Sequence, residues 1–239
     1  MKEKLAPKRA RYDRVNNQDG CSFKLEHYRE ILSAAIKKGY HITSFAKYDS
    51  KKKKSIILRH DIDGKTDVEK ALEFSSIERE IGASATYFLR VHSAEYNPYE
   101  YRCYEIFTDI LAMGHEIGLH FEAVDMEPVS GEDSKIVFLK EKLMLENIYG
   151  IKIISASQHG DYSFYSHPGY YYFFDRVKKG EVGIKNHTFE PGFYNEIKYL
   201  SDSNSVWLEG CPCRHLGKHD KFQILTHPKW WFREFYHTW

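Results

Sequence analysis

The segment SIILRHDIDG, residues 55–64, joins an apolar run to two aspartates and a glycine. An apolar run of this length, between a lysine cluster and a glycine, predicts a short buried strand. Because side chains alternate along a strand, we expect Asp61 and Asp63 on the same side. Two close carboxylates repel each other, and a divalent cation relieves this: one acid binds the metal and the other serves as a base. The alternative is a solvated strand-to-loop turn, in which Asp and Gly are common.

The composition of the 239 residues is that of an ordinary soluble globular protein, with 42% hydrophobic and 29% charged residues. A formal net charge of +1 gives no reason to expect nucleic acid or an anionic membrane as a partner. No apolar run is long enough to predict a membrane span. The charged segment 1–9 does not resemble a secretory signal, and four cysteines do not make a disulfide framework, so we expect a cytoplasmic protein.

Strand and helix signals alternate along the chain. Residues 1–20 are predicted to be a basic, poorly ordered lead-in, and residues 21–239 a single domain. The clearest strand predictions are 55–60, 84–89, 115–121, 151–156 and 222–226, and the helix predictions are 25–38, 67–81, 99–113, 132–149 and 169–177. This alternation predicts a mainly parallel sheet or an α/β barrel, with the working residues at the C-terminal ends of the strands.

Chemically capable side chains follow several of these strands. They are Asp61 and Asp63 after the first, His120 and His159 after later ones, and His227 after the last. A carboxylate pair with single histidines is a ligand set suited to zinc or a similar ion. Any one of these histidines alone would more often be a packed or solvated residue, so their recurrence at equivalent strand ends carries the prediction.

Several motifs in the same order resemble those of the polysaccharide deacetylases of the NodB-homology, or carbohydrate esterase family 4, type. The segment GHEIGLH, residues 114–120, is close to that family's Gly-His-Glu-Ile-Gly-Asn-His, and ATYF, residues 85–88, is similar to its Ala-Thr-Phe-Phe strand. The segment HDIDG, residues 60–64, resembles a variant first motif with Asp-x-Asp. The resemblance covers roughly residues 55–228 and implies a distorted (β/α) barrel of the deacetylase type.

The resemblance also implies roles for single residues. Asp61 would be the general base, Asp63 and His120 metal ligands, and His227 in the segment LTH, residues 225–227, the general acid. Asp202 is expected to orient His227. The implied cofactor is Zn²⁺ or another divalent metal.

Two departures leave part of the site open. Val124 stands where the family usually has its third metal ligand, four residues after His120; Glu122 or Asp125 could replace it, and we favour Glu122 because it would share a face with His120 in a continuing strand. The segment QHG, residues 158–160, falls where the family has its Arg-Pro-x-Gly loop, and no arginine is present. His159 is therefore expected to contact metal, substrate or Asp61. The expected substrate-binding residues are His159, Trp207 and Gln158.

Other histidines and cysteines could also bind a metal. His115 begins its strand, at the end away from the site, so we expect a structural role. Cys211 and Cys213, with His215 and His219, suggest a second zinc site. The Cys-Pro-Cys spacing is uncommon in structural zinc sites, so a loop with reduced thiols is the preferred interpretation.

The function implied by the resemblance is a metal-dependent hydrolase that removes an acetyl group, most simply from an N-acetyl amide, from a sugar or a precursor of a surface polysaccharide. A carbohydrate or sugar nucleotide would be the substrate. Two alternatives remain: a metal amidohydrolase acting on a small non-sugar amide, and a non-catalytic carbohydrate-binding protein on the same fold, which the missing third histidine favours.

Overall fold

The computed structural model describes residues 21–160 and 172–232, so the expected lead-in at 1–20 lies outside the described residues. In these ranges the strands are β1 (His41–Thr43), β2 (Ser55–Ile62), β3 (Thr86–Leu89), β4 (Glu116–Phe121), β5 (Ser155–Gln158), β6 (Asn186–His187), β7 (Lys198–Ser201) and β8 (Lys221–Thr226). The helices are α1 (Leu25–Lys37), α2 (Lys65–Glu80), α3 (Tyr101–Ala112), α4 (Ala123–Ser130), α5 (Ser134–Tyr149), α6 (Phe173–Arg176) and α7 (Pro191–Tyr194).

In the described part of the chain, the eight strands form one sheet in which every pair is parallel. The main order is β6-β5-β4-β3-β2-β8-β7, and β1 pairs with the first half of β2. The sheet is curled, and the side chain of Gln223 in β8 donates hydrogen bonds to the carbonyl oxygens of Thr188 and Phe193 from the β6 side. The predicted α/β class, a distorted (β/α) barrel, is therefore confirmed in the form of a half-barrel.

Hydrophobic pattern explains most element positions. All eight residues of β2 are buried, as expected of a central parallel strand covered on both faces. Helix α1 buries one face, and α2 begins two residues before its predicted start. Gly64 occupies the N-cap position of α2, and Asp67 in the first turn accepts hydrogen bonds from the backbone N–H groups of Asp63 and Gly64. This contact fixes the chain where it leaves β2.

Three elements differ from the sequence-based predictions. The strand predicted at 151–156 is β5, which begins only at Ser155. The Ile153 N–H donates to Glu146 Oε1 and not to a neighbouring strand. An apolar segment forms a strand only where its backbone groups pair with another strand, and this N–H group is already used. The sequence also gave no expectation of α4, a helix that contains Pro128 and ends at Gly131 with φ +71°. Of the predicted helix 169–177, the described part forms the short α6.

The second glycine of the GHEIG segment, Gly118, is required by the close packing of β4 against β3. A Cβ atom on Gly118 would lie 2.5 Å from two ring atoms of Phe88 in the adjacent strand β3. No real Cβ contact is that short, so β3 and β4 pack at this point only because residue 118 has no side chain. The ring of Phe88 thus lies directly against the backbone of Gly118, its register partner in β4.

A buried polar cluster lies beneath the sheet, centred on Glu78 of α2. Its carboxylate accepts hydrogen bonds from the hydroxyl groups of Tyr28 and Tyr87, lies 2.7 Å from His60 Nε2 and 3.3 Å from His115 Nδ1. His115 Nε2 also lies 3.1 Å from the Ser75 carbonyl oxygen. His60 and His115 thus satisfy buried partners within the fold, which is the structural role expected of His115.

Within the described residues, no helix has the length and apolar character that crossing a membrane requires.

Candidate active site and metal centre

The C-terminal ends of β2, β4, β5 and β8 bring five of the predicted site residues together, as parallel strands do. Asp61 is the penultimate residue of β2 and Asp63 follows that strand, while His120, His159 and His227 lie at the ends of β4, β5 and β8. His120 Nε2 lies 3.4 Å from both Asp61 Oδ2 and Asp63 Oδ1. The two aspartates therefore face the same side, as the alternation along β2 predicts.

Asp61 is paired with an arginine from its own strand. Arg59, two residues earlier on the same face, donates from Nε to Asp61 Oδ1 (3.2 Å) and from Nη2 to Oδ2 (2.6 Å), and both side chains are almost fully buried. Burial alone would raise the pKa of Asp61, but the positive charge of Arg59 outweighs it and holds that pKa below its usual value. Asp61 is therefore an ionised carboxylate with a fixed orientation.

Asp63 lies at the centre of the constellation. Its Oδ1 is 3.4 Å from His120 Nε2 and 3.9 Å from His159 Nε2. Its Oδ2 is 3.1 Å from Lys229 Nζ and 3.6 Å from His227 Nε2. Burial would raise the pKa of Asp63, but the close contact with His120 and the charges of His227, His120 and Lys229 hold it well below its usual value.

His120 is held in one orientation by the backbone. Its Nδ1 lies 3.0 Å from the carbonyl oxygen of Ser157, to which it can only donate, so Nε2 is left to face the aspartates. Metal-binding histidines are usually oriented in this way through their second nitrogen. Burial would lower the pKa of His120, but Asp61 and Asp63 raise it above its usual value.

His159 faces Asp63 through Nε2, and its Nδ1 lies 3.4 Å from Glu122 Oε1. Glu122 does not continue β4, because the strand ends at Phe121 and Glu122 is the N-cap residue of α4. Both oxygens of Glu122 accept hydrogen bonds from Arg90, at 3.1 and 2.5 Å. Although burial opposes it, the contacts with His159 and Arg90 lower the pKa of Glu122 to about 2. The structure thus places Glu122 behind His159, between that ring and Arg90.

His227 is bound to Asp202. The two oxygens of Asp202 each lie 3.0 Å from the His227 backbone nitrogen, and Oδ1 lies 2.6 Å from Nδ1. Trp231 Nε1 donates to Asp202 Oδ2 at 2.8 Å. Burial would lower the pKa of His227, but the charge and hydrogen bond of Asp202 raise it to about 9. The ring therefore carries a proton at neutral pH and presents Nε2 to the site.

The residues present fit a divalent cation. Asp63, His120 and His159 each offer one ligand atom, and these atoms all lie within 4.8 Å of one another. Asp63 Oδ1 is buried and has no hydrogen-bond partner among the described residues. A buried acceptor without a partner is unfavourable, and two imidazole nitrogens aimed at it make a donor set suited to zinc.

Other predicted residues make different contacts. Gln158 Oε1 accepts a hydrogen bond from the Phe173 N–H and so ties β5 to α6. Trp207 is buried, and its ring stacks on Phe23 at a centroid distance of 6.2 Å. Neither of these contacts is with the group around Asp63. Val124 and Asp125 lie buried in the first turn of α4.

Three cations of the site were missed in the sequence: Arg59, Arg90 and Lys229. Arg90 directly follows β3, and the strand-end rule that selected the histidines would have found it. Arg59 is two residues before Asp61, so alternation along β2 already placed the two on one face. Lys229 had no comparable signal, because it lies in the 3₁₀ turn Pro228–Phe232 after β8.

No protein-family model and no curated protein sequence matches the chain. Among solved structures, similar chains are a polysaccharide deacetylase from Bacillus cereus (18% identity, 74% of this chain and 80% of that chain covered, TM-score 0.42) and a deacetylase from Streptococcus pyogenes in complex with acetate (11%, 95% and 91%, 0.44). A peptidoglycan deacetylase from Bacillus subtilis is also similar (15%, 76% and 77%, 0.45). At this degree of similarity the function has to be argued from the site itself.

Proposed function

We propose that this protein is a divalent-metal-dependent hydrolase that removes acetyl groups from a carbohydrate, most simply from an N-acetylated sugar. The observation that carries the proposal is the position of His227. Its Nε2 lies 3.6 Å from Asp63 Oδ2, so a protonated imidazole fixed by Asp202 shares one small space with the metal-ligand group and with Asp61. An acid, a base and a cation site in one place are what amide hydrolysis needs.

Asp63, His120 and His159 would hold the cation. When bound, a divalent metal polarises a carbonyl oxygen and lowers the pKa of water. In this proposal His159 supplies the third ligand, because its Nε2 faces Asp63 Oδ1, and Glu122 orients the ring through Nδ1. This assignment differs from the sequence-based preference for Glu122 as the ligand.

The remaining residues would move protons. Asp61, ionised and held by Arg59, accepts a proton from the attacking water. His227 gives its Nε2 proton to the nitrogen of the departing amine, which would otherwise leave as a strongly basic anion. The balance is one water and one N-acetyl sugar consumed, and one acetate and one amino sugar formed. General acid–base steps of this kind contribute about 10²–10⁴-fold each.

A specific observation favours the non-catalytic alternative. Each acid of the site already has a cationic partner: Arg59 binds Asp61, Arg90 binds Glu122, and Lys229 Nζ lies 3.1 Å from Asp63. A protein that binds carbohydrate without a metal would need such neutralisation. Metal content and turnover separate the two functions.

The test is acetate release by the purified full chain, loaded with Zn²⁺ or Co²⁺, from N-acetylated oligosaccharides and N-acetylated sugar nucleotides. We expect wild type to release acetate, His227→Ala to keep its metal and lose most turnover, and Asp63→Ala to lose both. Binding of the same sugars without acetate release, and with no metal at Asp63, would support the carbohydrate-binding alternative. Full turnover by His227→Ala would contradict the acid role.

A further inference from the structure

A second group of potential metal ligands lies where the residues at and just before the start of α1 meet the loop that precedes β8. It consists of Cys21, His27, Cys211 and Cys213, whose ligand atoms all lie within 4.8 Å of one another. Cys21 and Cys213 are separated by 192 positions in the chain, so their meeting is a product of the fold. None of these residues belongs to the site around Asp63.

The distances within the group suit a tetrahedral metal site. Cys21 Sγ lies 3.5 Å from Cys213 Sγ, and His27 Nε2 lies 3.3 Å from Cys211 Sγ. Ligands at about 2.3 Å (sulfur) and about 2.0 Å (nitrogen) from a tetrahedral zinc are roughly 3.5–3.8 Å apart. The two sulfurs are well beyond the bonded distance of about 2.05 Å, and the four cysteines of the chain are free thiols.

A carboxylate holds the ring of His27 through the nitrogen that faces away from the cysteines. His27 Nδ1 lies 3.1 Å from Glu30 Oε2, one turn further along α1. Glu30 can accept the Nδ1 proton, which leaves Nε2 unprotonated toward the cysteines. A carboxylate behind a histidine is a common arrangement in zinc sites, where it fixes the tautomer and raises the basicity of the ligand nitrogen.

The thiols have a reason to bind a cation. Three thiols and an imidazole packed against each other make poor hydrogen-bonding partners, since S–H is a weak donor and sulfur a weak acceptor. A divalent cation turns the same packing into four strong bonds.

We propose that Cys21, His27, Cys211 and Cys213 form a closed, structural Cys₃His zinc site. Zinc binding releases three thiol protons to solvent and leaves a complex of net charge −1. Four protein ligands complete a tetrahedron, so no position is left for water or substrate. The site is structural, and none of its ligands belongs to the group around Asp63.

The sequence had suggested a different ligand set. Cys211 and Cys213 do belong to the group, but His215 Nε2 lies 2.8 Å from the Glu209 carbonyl oxygen and so has its own partner. Cys211 lies at the N-cap of the 3₁₀ turn Pro212–Arg214 and Cys213 lies within it, so both thiols are near His27 of α1. His27 and Cys21 replace the predicted histidines because α1 packs against this turn.

The group has a consequence for the active site. Phe23, two residues after Cys21, stacks on Trp207 and packs edge-on against Trp231 at a centroid distance of 5.2 Å. Trp231 is the residue that donates to Asp202. A zinc ion would therefore clamp the segment that begins at Cys21 onto the aromatic residues behind the Asp202–His227 pair.

The test counts metal in the full-length protein, purified under reducing conditions and dialysed against weak chelator. Cys213→Ser is compared with Cys103→Ser, a matched control whose thiol is buried in α3 and is not part of the group. We expect Cys213→Ser to lose one equivalent of zinc and to unfold at a lower temperature, while Cys103→Ser keeps its zinc. The Co²⁺-loaded wild type should show a thiolate-to-cobalt charge-transfer band in the near ultraviolet that Cys213→Ser lacks.

Two outcomes would overturn the proposal. One is wild-type protein that binds no thiolate-coordinated Zn²⁺ or Co²⁺ and whose four thiols react with a thiol reagent at the same rate with and without Zn²⁺. The other is a Cys21–Cys213 disulfide that is present in protein isolated without reductant although Zn²⁺ was supplied throughout the purification. Asp63→Ala keeps these results separate from the proposed function: it should retain the charge-transfer band whether or not the catalytic metal and the deacetylase activity exist.

Discussion

Asp202 binds His227 through both its backbone and its ring: the carboxylate accepts from the His227 N–H at 3.0 Å, and Oδ1 lies 2.6 Å from Nδ1. These contacts leave the imidazole one orientation, with Nε2 toward Asp63. They also keep the ring protonated, since the charge of Asp202 outweighs burial and raises the pKa of His227 to about 9.

If His227 is the proton donor, as proposed, Asp202→Asn should impair it without removing it. We expect kcat to fall about 10²–10⁴-fold, with KM and the metal content nearly unchanged, because the amide can still hydrogen-bond the ring but no longer stabilises its charge. The measurement is steady-state kinetics with elemental analysis of each variant. Ser203→Ala, an exposed neighbour, is the control, and an Asp202→Asn variant with wild-type kcat would refute the assignment.

The ammonium group of Lys229 lies 3.1 Å from Asp63 Oδ2 and would compete with a metal at the proposed site. Removing that charge in Lys229→Met should raise the affinity of the Asp63 site for Zn²⁺ about tenfold or more, because repulsion between cations a few ångströms apart is lost. Metal-competition titration of the two proteins measures the change. Lys70→Met, on the surface of α2, should leave the affinity as it is. Weaker zinc binding by Lys229→Met would mean that the lysine supports the site.

His159 and Glu122 differ in their expected effects on metal binding. If His159 is the ligand and Glu122 its support, His159→Ala abolishes binding at the Asp63 site, whereas Glu122→Gln weakens it about 10–100-fold. Isothermal titration with Zn²⁺ distinguishes the two, using a Cys213→Ser background to silence the second site. Retained binding in His159→Ala, with complete loss in Glu122→Gln, would make Glu122 the ligand.

Arg59 and Asp61 form a buried ion pair, so truncating the arginine should leave a buried charge without a partner. We expect Arg59→Met to lower the free energy of unfolding by about 3–5 kcal/mol in urea titrations at pH 7. Arg29→Ala removes the arginine of an exposed pair with Glu80 and should change stability by less than about 1 kcal/mol. Equal effects of the two substitutions would be inconsistent with the buried pair seen here.

The carboxylate of Glu78 makes stability depend on acid pH. Burial would raise its pKa, but His60 and the other partners hold the pKa below the ordinary 4.5 in the folded protein. The unfolded chain binds the proton first, so the stabilisation is complete above pH 4.5 and is lost as the pH falls through the lower folded value. Glu78→Gln should be less stable than wild type at pH 7 and lose less stability between pH 7 and pH 4. A steeper pH dependence in the variant would be the contrary result.

The sequence was sufficient for the architecture and for much of the site. Apolar runs that end in Asp, His or Thr-His, alternating with amphipathic helices, predicted a parallel α/β sheet with chemistry at one edge. Parallel strands all end at the same edge, so the rule that brings Asp61, Asp63, His120 and His227 together needs only strand boundaries. For the same reason the boundaries of β5 mattered little, since His159 follows the strand in either placement.

Only the tertiary structure decided which side chains meet once the strands have ended. Glu122 was predicted from a strand that stops one residue earlier, and its contacts with Arg90 and His159 depend on how α4 begins. Lys229 reaches Asp63 from a turn, and Cys21 and His27 reach Cys211 and Cys213 across most of the chain. Spacing in sequence fixes neighbours within one element because backbone periodicity is local, whereas contacts between loops follow from packing of the whole core.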